Sequence, residues 1–273
     1  MPDVAELLVA YDAQVRSRVS DRLPKGVTVK RDGPLLRFIG VAGRGFVLYR
    51  DLGGLEGSDL DELIVRQVRV FAARGEAFEW KLHGHDRPVD LPQRLRAAGF
   101  VPEDMETIVI APVADIAKAT SLPEGVSLRE VTSRTDFERI AALEQAVWGD
   151  EDQQGWLVNM LESERAVDPD ALSIVVAEVG ATVVCAAWIR FEDGTEFATL
   201  WGGATLPQWR RRGIYRATVA YRATLAAGRG FNYLETDASD DSRPILEQLG
   251  FTAVTTTTPY VWSPPTAPAT APL

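Results

Sequence analysis

The sequence predicts an α/β protein built from two halves of the same class, and three observations support this prediction. Its 273 residues suffice for two ordinary domains, and its 46% hydrophobic and 25% charged residues are typical of globular chains. Segments of helical and strand periodicity alternate along the chain. Residues 95–100 resemble residues 246–251, and residues 71–75 resemble residues 225–230, in the same order and at similar spacing. This repetition indicates an internal duplication, with coincidence as the alternative, because helix–Gly–Phe junctions are common.

The C-terminal half has the clearer pattern. Ser133, followed by Asp136 three residues later, predicts the start of a helix that ends before Gly149. A second helix is predicted at residues 152–167, and the dipeptide Asp193-Gly194 predicts a hairpin. The other predicted elements are strands at residues 173–179, 183–191, 196–204, 231–237, 251–258 and 260–262, and helices at residues 212–227 and 243–249.

The N-terminal half repeats the end of this pattern more faintly. Helices are predicted at residues 63–73 and 91–98, with a strand at residues 78–82 between them. Residues 111–125, which contain two prolines and several small side chains, form the best connection between the halves. We therefore predict a domain at residues 1–115, a linker at 116–125, a second domain at 126–262 and a disordered tail at 263–273.

Composition and charge argue against several classes of protein. The net charge of −10 disfavours nucleic-acid binding, because an acidic chain repels phosphates, whereas it suits a cationic amine. No apolar run is long enough to span a bilayer and the N-terminus is acidic, so we predict a cytoplasmic protein without a membrane partner.

The lone cysteine, Cys185, is predicted to be a small buried side chain. Residues His83 to Asp86 are predicted to form a surface turn rather than a metal site.

The most informative segment is LWGGATLPQWRRRGIYRA at residues 200–217. An apolar strand ends at Pro207, three arginines follow, and a helix begins after Gly213. The first turn of a helix presents unpaired N–H groups and partial positive charge, so it stabilises an anion such as a phosphate. Gly213 lets the backbone come close to that anion, and Arg211 and Arg212 add charge-assisted hydrogen bonds. The segment lacks the glycines and the Lys-Ser/Thr pair of a P-loop, and a solvated surface or a nucleic-acid patch is the alternative.

Residues 207–215 are similar to motif A of the GNAT N-acetyltransferase superfamily, whose pattern is Arg/Gln-x-x-Gly-x-Gly/Ala. Arg210 and Gly213 occupy its first and fourth positions, while Tyr215 stands where glycine or alanine is usual. Residues 235–251 resemble motif B, which is a strand, a polar turn and a short helix that ends in Leu-Gly-Phe. Residues 202–205 look like the fourth strand of that family, so the resemblance covers about residues 126–262.

This resemblance implies two tandem GNAT-like domains, each with a mixed, mostly antiparallel central sheet flanked by helices. The N-terminal domain is then a degenerate copy, because residues 53–60, which correspond to the arginine turn, are acidic. In the C-terminal domain, acetyl-CoA is implied to lie between two splayed strands. The residues implied to bind it are Ala204, Thr205 and Leu206 along the pantetheine, Arg211, Arg212, Gly213, Ile214, Tyr215 and Arg216 around the pyrophosphate, and Ser242 through a hydrogen bond.

The activity that the resemblance implies is transfer of an acetyl group from acetyl-CoA to a primary amine of a small molecule or peptide. Trp148, Trp156 and Trp201 are predicted to line the acceptor pocket, with ordinary core packing as the alternative. Glu196 is the candidate for the base that takes a proton from the amine, and Glu144 on the first helix has a similar claim. Each glutamate also fits the description of a solvated carboxylate.

The group that protonates the departing thiolate is missing from its usual place. The family often has a tyrosine at the position of Leu246, and leucine cannot donate a proton. Another tyrosine, such as Tyr215 or Tyr260, could donate it, or water could, because a thiolate is a good leaving group. The remaining hypothesis is a non-catalytic, regulatory module that binds acyl-CoA. The sequence makes no prediction about the oligomeric state.

Overall fold

The computed structural model describes residues 3–41, 43–118, 120–149 and 154–265. Its contacts divide the chain into two compact units. Unit 1 consists of Met1–Lys25 and Glu106–Thr255, and unit 2 consists of Gly26–Met105 and Thr256–Leu273. Within the described ranges, no helix is both long and apolar enough to cross a membrane.

Helices and strands alternate through both units. In chain order they are α1 (Val4–Gln14), β1 (Thr28–Asp32), β2 (Leu35–Ile39), β3 (Gly45–Leu48), α2 (Gly57–Ala72), β4 (Phe78–His83), α3 (Leu91–Ala97), β5 (Val101–Pro102), β6 (Glu106–Pro112), α4 (Val113–Ile116), β7 (Val126–Val131), α5 (Arg134–Trp148), α6 (Gln154–Val167), β8 (Leu172–Val179), β9 (Thr182–Phe191), β10 (Phe197–Thr205), α7 (Ile214–Gly228), β11 (Tyr233–Ala238), α8 (Arg243–Leu249) and β12 (Thr252–Trp262).

Unit 1 is built on a mixed sheet with the strand order β6-β11-β10-β9-β8-β7. These neighbours pair antiparallel, except that β10 and β11 run parallel. Helices cover both faces, because side chains along a strand alternate between the faces. Ile189 of β9 packs in one core with Val219 of α7, whereas its neighbour Trp188 packs in another with Ile140 of α5 and Leu161 of α6. This arrangement confirms the predicted class of a mostly antiparallel sheet flanked by helices.

The helix ends follow the local signals in the sequence. The Ser133 side chain accepts a hydrogen bond from the Asp136 backbone N–H at 3.2 Å, which caps the start of α5. Gly149 ends α5 in the left-handed conformation, with φ of 83°, and Gly250 ends α8 in the same way, with φ of 110°. Both helices were predicted from these residues, and both predictions are confirmed.

Unit 2 repeats the central pairings of unit 1 on a smaller scale. Its strand order is β1-β2-β3-β4-β12, with β5 also paired to β12. Strand β2 pairs antiparallel with β1 and with β3, and β3 pairs parallel with β4. In unit 1, β9 likewise pairs antiparallel with β8 and with β10, and β10 pairs parallel with β11. Helix α2 follows β3 as α7 follows β10, and α3 follows β4 as α8 follows β11. Phe71 and Phe78 stack at 4.1 Å in its core, beside the fully buried Trp80.

Each unit receives one edge strand of its strand order from the other half of the chain. In unit 1, β6 pairs with β11, from Thr107 opposite Ala238 to Pro112 opposite Tyr233. In unit 2, β12 pairs with β4 from residue 257 to residue 262. The compact units therefore divide the chain differently from the predicted domains. Residues 1–25 and 106–115 group with unit 1, and residues 256–262 group with unit 2. Sequence similarity marks the duplicated segments, whereas compactness follows strand pairing.

Three segments differ from the sequence predictions or lie outside the residues that the structure describes. Of the predicted connection at residues 111–125, Ala111 and Pro112 lie in β6 and Val113–Ile116 form α4, because this stretch pairs with β11 and then packs on α7. The two predicted strand pieces near the C-terminus are one strand, β12, which continues through Pro259. The predicted start of the second helix at residue 152 and the tail from residue 266 lie outside the described residues.

Candidate active site

The junction between β10 and α7 contains a helix start that suits an anion. A 3-10 turn at Pro207–Trp209 follows the strand, and Arg210 Nε donates to the Thr205 carbonyl at 3.1 Å, which holds the turn against the strand end. Gly213 is the N-cap of α7 with φ of 81°, and no described side chain caps the helix. Such an N-cap leaves the first N–H groups to solvent or to a ligand. The first turn of α7 therefore fits an anionic group.

Three arginines place exposed positive charge around this helix start. Arg211 has a positive φ of 60°, an uncommon conformation for a residue with a side chain. The Arg212 guanidinium lies 4.6 Å from the centre of the Trp209 ring, and Arg216 donates to the Gln248 side chain. Within the described residues, none of the three arginines forms an ion pair. Their charge can therefore act on a bound anion, as the sequence predicts.

The two central strands of unit 1 separate after a short parallel ladder. Residues 197–199 of β10 pair with residues 233–235 of β11. One step further, the Thr236 hydroxyl donates to the Leu200 carbonyl at 2.8 Å, so a side chain replaces the backbone partner. On its other edge β10 stays paired with β9 as far as Thr205, and the Leu206 N–H donates to the Val184 carbonyl at 3.0 Å. Beyond Thr199 the structure describes no ladder pair between β10 and β11, although Arg222 and Arg210 donate to the Trp201 and Thr205 carbonyls. The remaining backbone groups of residues 201–205 can pair with amide groups of a ligand, as an added strand would.

A β-bulge bends β10 at this position. The register between β10 and β9 shifts between Gly202 and Ala204, and Gly202 and Gly203 have φ of 68° and 106°. A Cβ at Gly202 would lie 2.5 Å from the Trp188 ring, and one at Gly203 would lie 2.6 Å from the Tyr215 ring. Because Trp188 belongs to the core under α5 and α6, and Tyr215 to the core on α7, the two rings hold the bulge from opposite faces of the sheet.

Arg222 of α7 supports the same bulge from inside the protein, although it is only 1% exposed. Its Nη1 donates to the Trp188 carbonyl at 2.9 Å and to the Trp201 carbonyl at 3.1 Å, and its Nε donates to the Thr218 carbonyl at 3.1 Å. Burial lowers the pKa of Arg222. Sequence reasoning missed this residue. The signal was its position, four residues after buried Thr218 and four before buried Ala226, which places it on the inner face of the helix.

The three tryptophans predicted for the acceptor pocket are exposed and do not lie in the core. The exposed fractions are 63% for Trp148, 44% for Trp201 and 37% for Trp156. Exposed aromatic side chains of this size suggest a surface that contacts another molecule. Their role in an acceptor pocket stays a prediction, and their exposure leaves them able to contact another molecule.

Trp201 is held by a cation on β9 and by its own strand. The Arg190 guanidinium lies 4.4 Å from the centre of the Trp201 ring, and Arg190 pairs with Glu164 of α6 at 2.8 Å. Arg190 also approaches Met160, one helical turn before Glu164. Trp201 Nε1 itself donates to the Thr199 hydroxyl at 2.8 Å. Trp156 lies four residues before Met160 on α6.

Glu144 is the carboxylate that lies under the end of β10. It accepts a hydrogen bond from Trp148 Nε1 at 2.8 Å, and its buried Oε1 has no hydrogen-bond partner among the described residues. Burial raises the pKa of Glu144, and the bond from Trp148 opposes that effect. Burial and, to a smaller extent, Glu144 raise the pKa of Cys185, whose thiol lies 3.2 Å from the Thr205 hydroxyl. Cys185 itself is buried, as predicted.

Glu196 lies at the opposite end of β10, just before its first residue. It accepts hydrogen bonds from Gln14 Nε2 at 2.9 Å and from Asn232 Nδ2 at 2.6 Å. These two bonds lower the pKa of Glu196. A carboxylate whose charge is already stabilised in this way is a weaker proton acceptor. Glu144 therefore lies on the helix whose Leu143 packs in one core with Ala204 at the end of β10, whereas Glu196 lies at the start of that strand.

The motif B helix offers no proton donor at its usual place. Leu246 is 1% exposed and packs in the core on α7. Ser242 precedes α8, and its hydroxyl lies 3.3 Å from the Ser239 carbonyl and 3.2 Å from the Ser239 hydroxyl. Of the two other tyrosines considered, Tyr260 is buried in the core of unit 2, and Tyr215 lies at the bulge.

The two histidines lie at the end of β4 and in the turn that follows it. In the part of the chain that the structure describes, no group of three or more His, Cys, Asp or Glu side chains could hold a metal ion. The predicted surface turn is correct for Gly84 and His85, but His83 ends β4 and is only 4% exposed. The difference arises because β12 pairs with β4, with Thr257 opposite His83.

The arrangement of a bulged strand, a glycine-led helix and a splayed parallel pair agrees with comparisons to known proteins. Residues 137–251, from within α5 to the end of α8, match the model of the Acetyltransferase (GNAT) family. The match covers less than half of the chain, and it marks residues 137–251 as similar to a GNAT acetyltransferase domain. No curated protein matches the sequence.

Solved structures with similar folds include GCN5-related N-acetyltransferases and a tandem GNAT protein. A GCN5-related N-acetyltransferase from Kribbella flavida has a TM-score of 0.68 at 16% identity, covering 98% of this chain and 97% of that one. A tandem GNAT protein from the clavulanic acid biosynthesis pathway has a TM-score of 0.62 at 14% identity, covering 95% and 94%. A GCN5-related N-acetyltransferase from Sphaerobacter thermophilus has a TM-score of 0.59 at 14% identity, covering 87% and 76%. At these identities the likeness concerns the fold.

Proposed function

We propose that this protein is an N-acetyltransferase that moves an acetyl group from acetyl-CoA to a primary amine of a small molecule or a peptide. The observation that carries the proposal is the start of α7, an N-cap glycine without a side-chain cap, next to arginines that form no described ion pair. The match of residues 137–251 to the GNAT family model supports acetyl transfer in general. The site in unit 1 supports this particular assignment of the cofactor.

The proposed path of acetyl-CoA follows β10. Its pyrophosphate would accept hydrogen bonds from the N–H groups of residues 212–216 and from the Arg211, Arg212 and Arg216 side chains. Its pantetheine would pair with the free edge of residues 204–206, and Ser242 would contact the cofactor from the start of α8. The thioester would then come next to the bulge at Gly202 and Gly203, because the chain of the cofactor continues in that direction.

The acceptor would approach from the face of the sheet that α5 and α6 cover. Trp148, Trp156 and Trp201 would provide apolar and π surface for the acceptor. We propose Glu144 as the base, since it lies under the end of β10 with a raised pKa and one oxygen without a partner. A base with these properties can take the proton that the amine loses as its nitrogen attacks the thioester carbon. Glu196 is the weaker candidate, because two hydrogen bonds already stabilise its charge.

Unit 2 is proposed to be a degenerate copy without a cofactor of its own. The segment that corresponds to the arginine turn is acidic there, which disfavours a pyrophosphate. We further propose that the protein works in the cytoplasm and that its partners are acetyl-CoA and the amine, without nucleic acid or membrane.

A second candidate function is a regulatory module that binds acyl-CoA without turning it over. The specific observation in its favour is Leu246, an aliphatic side chain where the family often has its proton donor. The two candidates differ in a single experiment, in which the full chain is incubated with acetyl-CoA and a panel of amines and peptides while free thiol is measured. We expect thiol release that depends on the amine, with the acetylated amine identified by mass spectrometry. CoA binding without any acetylated product across the panel would favour the regulatory module.

A further inference from the structure

Tyr215 lies at the bulge of β10, next to which the thioester is proposed to come. Its ring packs against the backbone of Gly203, at 2.6 Å from the position of a Cβ on that residue. The residue is half-buried, and its hydroxyl forms no hydrogen bond with the described residues. Because this hydroxyl is not fully buried, it can donate its proton to a ligand that enters the site.

The surroundings of Tyr215 suit a phenol that gives up its proton for a short time. Arg222, the buried cation that joins the Trp188 and Trp201 carbonyls, acts on Tyr215 from the same helix. Burial raises the pKa of Tyr215, and the charge of Arg222 acts against that rise. The phenol therefore stays protonated at neutral pH, and the guanidinium stabilises the phenolate once it forms.

We infer that Tyr215 is the catalytic acid of this protein and replaces the donor that is absent at Leu246, with Arg222 as its positioning residue. The inference rests on the proposed function, because it requires the acetyl-CoA thioester to lie at the bulge. It assigns the acid to the first turn of α7, the same turn that would hold the pyrophosphate. Tyr215 would thus do two things at the position where glycine or alanine is usual: hold Gly203 in place and protonate the leaving group.

The proton and bond changes balance without any further reactant. The amine nitrogen attacks the thioester carbon, and Glu144 takes the proton that the nitrogen loses. The carbon–sulfur bond then breaks, the electron pair goes to sulfur, and the Tyr215 hydroxyl gives its proton to the thiolate. Glu144 releases its proton to water and Tyr215 regains one from water, so the products are the N-acetyl amine and CoA with a free thiol.

Replacing Tyr215 by phenylalanine tests the inference with little disturbance of the fold, because the ring that packs on Gly203 is kept. With the amine found in the panel, we expect Tyr215→Phe to lower kcat about 10²-fold, the lower range of general acid catalysis. The KM for acetyl-CoA and the Kd for CoA should stay within about twofold of the parent values, since the arginine turn is unchanged. The single-turnover rate of acetyl transfer should fall by the same factor as kcat.

Tyr221→Phe is the matched control on the same helix. The Tyr221 hydroxyl donates to Glu130 at 3.2 Å, away from the bulge, so its loss should leave kcat unchanged. An unchanged kcat in Tyr215→Phe, or equal losses in the two variants, would overturn the inference and leave the proposed acetyl transfer intact. A parent protein that binds CoA but acetylates nothing in the panel would overturn both.

Discussion

Helices α7 and α2 follow equivalent strands in the two units, and both start at a glycine with positive φ, but their surroundings carry opposite charge. Gly213 has φ of 81° and Gly57 has φ of 54°. Three arginines precede Gly213, whereas Glu56 is the N-cap of α2 and Asp59 lies in its first turn. Acidic side chains at a helix start already satisfy its partial positive charge.

The charge at the start of α2 is also balanced within unit 2. Arg94 donates to the Gly57 carbonyl at 3.0 Å, to Asp61 at 2.8 Å and to Asp90 at 2.9 Å. At α7, by contrast, Arg211 and the other arginines of the turn form no ion pair with the described residues. The fold thus provides a helix start in both units, and the side chains around it decide whether that start stabilises itself or remains free to bind a ligand.

A second difference concerns the helices ahead of the sheet. In unit 1, α5 and α6 precede β8 and carry Glu144, Trp148 and Trp156. Unit 2 begins at Gly26, almost directly before β1 at Thr28, so it has no described counterpart of this helical pair. The proposed base and acceptor surface are therefore additional reasons to propose unit 1 as the place of the reaction.

The largest effect is expected from Glu144, which has no equivalent in unit 2. Glu144→Gln should lower kcat/KM about 10²-fold or more, because the amide cannot accept the proton of the amine. In the parent, activity should fall as the pH drops through the pKa of Glu144, since only the ionised carboxylate acts as a base. Burial raises that pKa, so this fall should come at a higher pH than for an exposed glutamate, which titrates near about 4.3.

The control for this prediction is Glu138→Gln, also on α5, where Glu138 pairs with Arg134 on the exposed surface. It should leave the pH profile of kcat/KM unchanged. If Glu144→Gln keeps both the rate and the acid limb of the parent, Glu144 is not the base, and Glu196→Gln becomes the variant to measure.

A smaller and more selective effect is expected from the paired variants Gly213→Ala and Gly57→Ala. A Cβ at either glycine would meet no atom within 4 Å, so the cost comes from the left-handed backbone alone, about 1–2 kcal/mol. Denaturant unfolding should therefore show similar destabilisation for the two variants. Only Gly213→Ala should also weaken CoA binding, by about tenfold, because the backbone at the start of α7 shifts away from the pyrophosphate. Equal CoA affinities in the two variants would remove the distinction between the helix starts.

Much of the fold could be predicted because its signals are local. Ser133 with Asp136, Gly149 and Gly250 are caps that depend on a few neighbouring residues, and the helices they bound are confirmed. The exchange of strands between the two halves could not be predicted in the same way. The pairing of β6 with β11 joins residues more than 120 positions apart, and no turn signal connects them.

The site shows the same division between local and tertiary information. The arginine turn and the Gly202-Gly203 step are visible in the sequence, because positive φ and helix starts favour particular residue types. The choice between the two candidate bases is not visible in the sequence, because Glu144 and Glu196 have similar claims there. Only tertiary structure shows that Glu144 is buried with an oxygen lacking a partner, whereas Gln14 and Asn232 hold Glu196. Arg222 likewise becomes informative only when its carbonyl partners are known.

The most direct test of the account is calorimetric titration of CoA into the full chain and into Arg211→Ala/Arg212→Ala. We expect the double variant to bind CoA at least about tenfold more weakly, because two charge-assisted contacts to the pyrophosphate are lost. Arg31→Ala/Arg69→Ala removes the same charge from exposed positions of unit 2 and should bind CoA as the parent does. Unchanged affinity in Arg211→Ala/Arg212→Ala, or an equal loss in both double variants, would contradict the claim that the start of α7 holds the cofactor.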